Sequence, residues 1–278
     1  MSCTDPVYLS RAQYRDGSAL GARMSLHERF STNPYPWHRW AFDQLDLEPT
    51  ARVLEVGCGP GELWRSNADR VPEGLRVVVT DLSLGMIREA EIALSDLGDG
   101  FTFQQVDACE IPFPEGAFDA AIANQMLYHV PDLPRALAEI ARVLAPGGKL
   151  YAATNGRNHM AEMRSLREEI VQGRRPSSAP LKIGFTLESG AEQLSAHFGA
   201  VELRLREDSL HVTEAGPLME YLLSAIDVRD ALAALQPQEA EERVSSMAES
   251  LTQVVAERGG LSIVKSSGHF IAGDPLHS

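Results

Sequence analysis

The sequence predicts an α/β protein: a doubly wound, mostly parallel sheet with a helical cap before it and a helical insertion late in the chain. Three observations predict this. Short apolar runs alternate with longer helical patterns from Val53 onward. Several runs, such as VLEV, VVV and AAIA, are apolar throughout, as expected of strands buried on both faces. A glycine-rich turn, GCGPG, follows the first run directly.

The first five strands are read at RVLEVG (52–57), LRVVVTD (75–81), FTFQQVD (101–107), FDAAIAN (118–124) and GKLYAATN (148–155). Helices are expected over 83–97 and 134–148. In the second, Leu137, Ile140, Ala141 and Leu144 recur at helical spacing. The Pro146, Gly147 and Gly148 punctuation is expected to stop it. Before this core, residues 1–48 hold a cluster of aromatics, and WHRWAFDQL reads as a helix with Trp37, Trp40 and Leu45 along one side. After it, VELRLRED (201–208) and LSIVKSSGHFIAGD (261–274) read as the last two of seven strands, with helices and a break at Pro237 between them. The expected divisions are a cap or lid at 1–48, a core at 49–213, a helical insertion acting as a substrate lid at 214–260, and a last strand with its tail at 261–278.

Bulk properties exclude several classes. The 278 residues carry a formal charge of −14, and an acidic surface repels phosphate backbones, which argues against nucleic acid as a partner. The tight basic pair Arg174-Arg175 reads as a solvated loop. Three cysteines, Cys3, Cys58 and Cys109, form no CxxC or CxxH pair, so neither a disulfide framework nor a metal site is expected. The first residues lack the apolar stretch of a secretion signal, and no run approaches the roughly 18 apolar residues of a membrane span. These readings lead to a cytoplasmic protein with no membrane partner.

The glycine turn poses the functional question. A dinucleotide fingerprint needs G-x-G-x-x-G. Gly57 and Gly59 fit its first two positions, but the third falls on Glu62, and the observed series is Gly57, Gly59, Gly61. Pro60 removes a backbone donor, and Glu55 and Glu62 flank the turn. No Lys-Ser or Lys-Thr follows, as a P-loop would require. Together these features disfavour a pyrophosphate and suit a cation.

Further strand ends point to the same crevice. Asp81 ends the second strand, where an acid can accept both hydroxyls of a ribose. Asp107 ends the third, followed by Ala108, and Asn124 ends the fourth. In a parallel sheet these ends share one edge, where α/β folds bind ligands. A strand-end aspartate also serves as a simple turn or helix cap, but four such features in order argue for a site.

The segments VLEVGCGPG (53–61), VTDLSLGMI (79–87), VDACEIPFP (106–114), FDAAIANQMLYHVPD (118–132) and RVLAPGGKLY (142–151) resemble the class I S-adenosylmethionine-dependent methyltransferases, in their broad small-molecule, UbiE-like branch. The resemblance covers about a hundred residues in the family's order and implies a Rossmann-like fold. It implies that Gly57, Gly59 and Gly61 let the backbone approach the methionine and ribose part of S-adenosyl-L-methionine. Asp81 would take the ribose hydroxyls, Leu82 and Met86 the adenine face, and Asp107 the adenine amino group beside the Ala108 amide. Asn124 would sit near the methionine part. Glu55 joins this acidic set, and Tyr14 is a candidate lid contact. The product would be S-adenosyl-L-homocysteine.

Methyl transfer is an in-line displacement, so the protein must align a nucleophile, keep the site dry and accept a proton where the nucleophile carries one. Tyr128 and His129 lie four residues after Asn124 and Gln125. Tyr128 would share a face with Asn124 if a helical turn begins there. His159 lies four after Asn155. Histidine titrates near neutrality, so His129 and His159 are the candidate proton acceptors, with Tyr128 beside them and His27 third. Each also has a structural reading. His38, His197, His211, His269 and His277 read as surface residues. Cys58 has no basic neighbour in sequence to lower its pKa and is a poor nucleophile. Met160 with Met163, and the Leu218, Tyr221, Leu222, Ile226 face, read as core.

The expected activity is therefore transfer of a methyl group to oxygen, nitrogen or carbon of a small molecule, with an apolar or aromatic acceptor suggested by the aromatic cap. RNA or protein methylation is the neighbouring alternative. A cofactor-binding regulatory module without transferase activity is the alternative of another class.

Overall fold

The computed structural model describes residues 18–172 and 184–276. Helices α1 (Ser18–Phe30) and α2 (Trp37–Asp43) precede the sheet. Then follow β1 (Arg52–Val56), α3 (Glu62–Arg65), β2 (Arg76–Asp81), α4 (Leu84–Ala93), β3 (Phe101–Gln105), β4 (Phe118–Asn124), α5 (Leu133–Val143), β5 (Leu144–Asn155) and α6 (Ala161–Gln172). The remainder is α7 (Gly190–Ser195), β6 (Phe198–Val212), α8 (Ala215–Ser224), α9 (Ile226–Ala233), α10 (Pro237–Arg258) and β7 (Leu261–Pro275).

The seven strands form one sheet in the order β3-β2-β1-β4-β5-β7-β6. Strands β1 to β5 are parallel, and β7 runs antiparallel between β5 and β6. Strand order reverses on either side of β1, and the carboxyl ends there leave the crevice that open α/β sheets use for ligands. Strand alternation divides the core. Leu54, Ala121, Ala123, Leu150 and Ala152 face α5 on one side. Val53, Val77, Ala120, Ile122 and Tyr151 face α3 and α4, with Trp64 and Ile87, on the other.

Local chemistry sets the helix starts. Ser83 accepts the Met86 amide at 3.4 Å, and Asp132 accepts the Arg135 amide at 3.2 Å, each capping orphan donors of a first turn. The helix expected over 134–148 instead ends at Val143. Leu144 is already extended and pairs with Phe118 of β4, so the Pro-Gly-Gly stretch is the bulged start of β5.

The three late helices α8 to α10 lie between β6 and β7, within the segment read as an insertion. They do not pack alone. Leu26 and Phe30 of α1, Met160, Met163 and Ile170 around α6, Leu218 and Leu222 of α8, and Met247 and Leu251 of α10 build a third core. Arg29 of α1 pairs with Glu214 at 2.8 Å, and Ser31 bridges to Leu210 of β6. Cap and insertion thus share one helical layer over the carboxyl edge of the sheet.

Candidate active site

The glycine turn is built by its backbone. Gly57, Gly59 and Gly61 have φ of 71°, 55° and 82°, the left-handed region that favours glycine. The Cys58 amide donates to the Thr80 carbonyl at 2.9 Å, and the Thr80 hydroxyl donates to the Glu55 carbonyl at 2.7 Å, so the turn is tied to β2. The Gly59 amide donates to Asp81 Oδ2 at 3.0 Å, and the Ser83 amide donates to Oδ1 at 2.8 Å. Burial pushes the Asp81 carboxyl up, and these amides pull it back.

Glu55 sits beneath the turn with 1% exposure. The Trp64 indole N–H donates to it at 2.6 Å. Burial outweighs that bond and pushes its pKa up to about 7. Cys58 is buried, its thiol pushed up by burial and by the neighbouring Glu55 and Asp81, and it is not a nucleophile.

A cavity of about 910 Å³ opens along the carboxyl edge. Gly57, Gly59, Glu55, Asp81, Leu82, Met86, Asp107, Ala108 and Asn124 all line it. So do Tyr128, His129 and His159. Gly61 does not. A Cβ there would meet Leu94 at 3.1 Å, so this glycine lets α3 pack close to α4. Tyr14 lies outside the described residues. Asp107 accepts the Cys109 amide at 2.8 Å. The Asn124 Oδ1 is buried with no hydrogen-bond partner among the described residues. A buried carbonyl oxygen left open on a cavity wall is a position for a donor from a ligand.

The α-helical turn that would put Tyr128 on a face with Asn124 does not form. Gln125 turns the chain with φ 59°, and a 3-10 turn over Leu127–His129 follows. Tyr128 and His129 nonetheless reach the cavity, their rings 4.5 Å apart. His159 Nδ1 lies 3.1 Å from the Ser266 carbonyl oxygen and 3.2 Å from its amide nitrogen, so the backbone of β7 fixes that side of the ring. His27 also lines the cavity, its Nδ1 unpartnered among the described residues. Burial drives His27 down to about 3 and His159 to about 4, with the Lys265 charge adding to both. Both rings are neutral at pH 7.

The surface readings of His38 and His269 are corrected. His269 is 1% exposed on β7, packed near the Trp40 and Tyr151 rings. His38 lines the cavity. Burial lowers each to about 4. Sequence reasoning also missed Arg206, Lys265 and Ser267 on the cavity wall. Arg204 and Arg206 in RLRED resemble the exposed face of an edge strand, and only the cap folding over β6 buries Arg206.

Among the described residues no cluster of three or more His, Cys, Asp or Glu could hold a metal ion. No described helix is long and apolar enough to cross a membrane.

Residues 54–152 match the methyltransferase domain family model. This segment is a methyltransferase domain. Around it the chain is 36% identical over 115 residues to the demethylmenaquinone methyltransferase of Symbiobacterium thermophilum, covering 41% of this chain and 46% of that one. It is 30% identical over 162 residues to the nocamycin O-methyltransferase of Saccharothrix syringae, covering 58% and 54%. These alignments span about half the length of the curated relatives. Phosphoethanolamine N-methyltransferase 2 of Haemonchus contortus, in complex with S-adenosyl-L-methionine, superposes with a TM-score of 0.59 at 24% identity, over 99% of this chain and 60% of that one. That likeness concerns the fold. The matched segment ends within β5, so the N-terminal helices, the late helices and the β6–β7 pair lie outside it.

Proposed function

We propose that the chain is an S-adenosylmethionine-dependent methyltransferase acting on a small-molecule acceptor, and that S-adenosyl-L-homocysteine is its product. The carrying observation is the convergence of Gly57, Gly59, Asp81, Asp107 and the open Asn124 carbonyl on one cavity. Its volume of about 910 Å³ lies near the top of the roughly 300–1,000 Å³ range of small-ligand pockets. That is room for a donor and an acceptor together. The names of the relatives, which methylate demethylmenaquinone and nocamycin-type acceptors, support a small molecule over RNA or protein. So does the net charge of −14.

The residues fit the cofactor. Glu55, Asp81 and Asp107 present carboxylates to a ligand that carries a sulfonium and an ammonium. Asp81 holds the ribose hydroxyls, Leu82 and Met86 flank the adenine, and Asp107 with the Ala108 amide takes the adenine edge. Asn124 accepts from the methionine part. When bound, the cofactor supplies an electrophilic methyl group. The protein's work is alignment and desolvation. The aromatic cap and the late helices close the site from water. Neutral His159, and His129 with Tyr128, are the groups that would receive an acceptor's proton, and His27 is a further one. The activity is placed in the cytoplasm.

Calorimetry with S-adenosyl-L-methionine and S-adenosyl-L-homocysteine tests the reading. Binding of both is expected, followed by transfer of labelled methyl to members of a small-molecule acceptor panel. Binding of neither would overturn the proposal. Binding without transfer to any acceptor would favour the regulatory module.

A further inference from the structure

The cavity has a second chemical character away from the glycine turn. On the far strands, Arg206 of β6 stands opposite Ser267 of β7, and Ser267 stands opposite Asn155 of β5. Cross-strand partners share a face. Asn155, Ser267 and Arg206 therefore form a polar row at the carboxyl end of β5, and all three line the cavity. The Asn155 amide is occupied, donating to the Gln125 side chain at 2.8 Å. The other two are not satisfied. Ser267 Oγ, and Arg206 Nε and Nη1, are buried with no hydrogen-bond partner among the described residues.

Arg206 is the unusual member. Its side chain is 2% exposed. Nη2 donates to the Tyr35 carbonyl, and the guanidinium carbon lies 5.8 Å from the Trp37 and Trp40 ring centres. These contacts hold the group in place without neutralising it. Asp208 is the nearest carboxylate, at 3.8 Å from Nε, beyond hydrogen-bond reach. That carboxylate is engaged elsewhere. Lys265 donates to it, as do the Ser31 hydroxyl at 2.6 Å and the Asn33 amide at 3.2 Å. Two cations thus share one anion, and the cluster keeps a surplus positive charge. A buried charge without a partner is costly. Here the unused N–H groups, one on Nε and two on Nη1, belong to a residue on a ligand cavity beside two indole rings.

We propose that this end of the cavity is an anion subsite, and that the methyl acceptor is a small organic monoanion: a carboxylate or acidic phenol on a flat apolar body. Arg206 and Ser267 bind the anionic oxygens, and Trp37 walls the body. Arg206 is a specificity-determining residue, placed on β6, four strands from the glycine turn on β1. The surplus of one charge favours a monoanion over phosphate or sulfate. The inference deepens the methyltransferase reading and rests on it for the word acceptor. The anion subsite itself does not require it.

The test uses the full chain with three probes: benzoate, neutral benzamide and inorganic phosphate. Tryptophan fluorescence and calorimetry read binding, with and without S-adenosyl-L-homocysteine. Benzoate is expected to bind at least about tenfold more tightly than benzamide, since hydrogen bonds to charged groups exceed neutral ones, and more tightly than phosphate. Arg206→Met should erase the benzoate preference, leave S-adenosyl-L-homocysteine affinity unchanged and raise Tm, because it removes a buried charge compensated only by a carboxylate it shares with Lys265. Ser267→Ala should weaken benzoate several-fold while the fold is intact. Equal binding of benzoate and benzamide by the wild type would overturn the proposal, as would tighter binding of phosphate. A fall in Tm with Arg206→Met, together with unchanged benzoate affinity in Ser267→Ala, would assign Arg206 to the fold and overturn it too. Failure of S-adenosyl-L-homocysteine to bind would instead strike the methyltransferase reading, and the benzoate comparison would still stand.

Discussion

The Trp64 indole donates to the Glu55 carboxylate across 2.6 Å, with both side chains buried beneath the glycine turn. Glu55 has its folded pKa raised to about 7 from an ordinary value of 4.5. The folded form therefore binds an extra proton between those values, and stability from this group falls as pH rises through them. Glu55→Gln should remove this slope. The wild-type minus Glu55→Gln difference in unfolding free energy, from urea titrations between pH 4.5 and 7.5, is expected to change by on the order of 3 kcal/mol. Parallel curves would show that Glu55 does not titrate there. Trp64→Phe should carry the loss of stability to still higher pH, since Trp64 is the side-chain donor to the carboxylate among the described residues.

Asp81 receives two backbone amides and faces the cavity. Asp81→Ala is expected to weaken S-adenosyl-L-homocysteine by at least tenfold, about 1.4 kcal/mol. Calorimetry checks it. Unchanged affinity would mean that the ligand's hydroxyls lie elsewhere.

Two glycines of one turn should fail differently. A Cβ at Gly57 would come within 2.7 Å of Met126 Cβ, whereas nothing lies within 4 Å of one at Gly59. Gly57→Ala combines a clash with the strain of positive φ and should cost about 2–4 kcal/mol of stability. Gly59→Ala carries the strain alone, about 1–2 kcal/mol, but projects a methyl toward the cavity and should weaken cofactor binding more than Gly57→Ala does per unit of lost stability. Urea midpoints and calorimetry separate the two. A stable Gly57→Ala chain would contradict the packing argument.

The buried histidines make the chain sensitive to acid. His27 is lowered to about 3, and His38, His159 and His269 to about 4, all chiefly by burial. Their folded values lie below the ordinary 6.5, so the stability they contribute is complete above that pH and is lost as pH falls toward 4. Tm should drop steadily between pH 6.5 and 4. His269→Gln, remote from the glycine turn, should flatten part of the drop. A constant wild-type Tm over this window would refute the assignment. Turnover then discriminates among the rings on the cavity: His159→Ala or His129→Ala should lower kcat more than cofactor affinity if that ring accepts the proton, and equal losses would mark it as structural.

How much was legible in sequence follows from the reach of each signal. The sheet was legible because runs such as Val77–Val79 and Ala120–Ala123 are buried on both faces, a pattern local to each strand. The cofactor end was legible because the glycine turn, Asp81, Asp107 and Asn124 sit at strand ends, where topology alone brings them together. The start of β5 was misread because Pro146 and Gly147 punctuate a bulged strand as readily as a helix end. Gly61 was grouped with its neighbours by spacing, yet its demand comes from Leu94, the C-cap of α4. Arg206 and His269 could not be read at all. Their burial comes from α2, some 170 residues upstream of Arg206 and 230 of His269, and no local period encodes that contact.

The cap and the late helices share a hydrophobic core that neither β1 nor β4 enters. The far end of the cavity thereby rests partly on packing of its own, while α2 ties the cap to the sheet core. The half-cavity that receives the donor is anchored in the sheet's own interior, and the half that chooses the acceptor is divided between the far strands, which carry Arg206 and Ser267, and the helices laid over them. A chimaera that exchanged residues 18–48 and 214–260 together would keep their mutual contacts but would still have to fit Met160, Met163, Ile170, Leu210, Val212 and Ile263, whereas exchange of either segment alone would also lose its complement. Acceptor preference in this architecture moves only if β6 and β7 travel with the two helical segments.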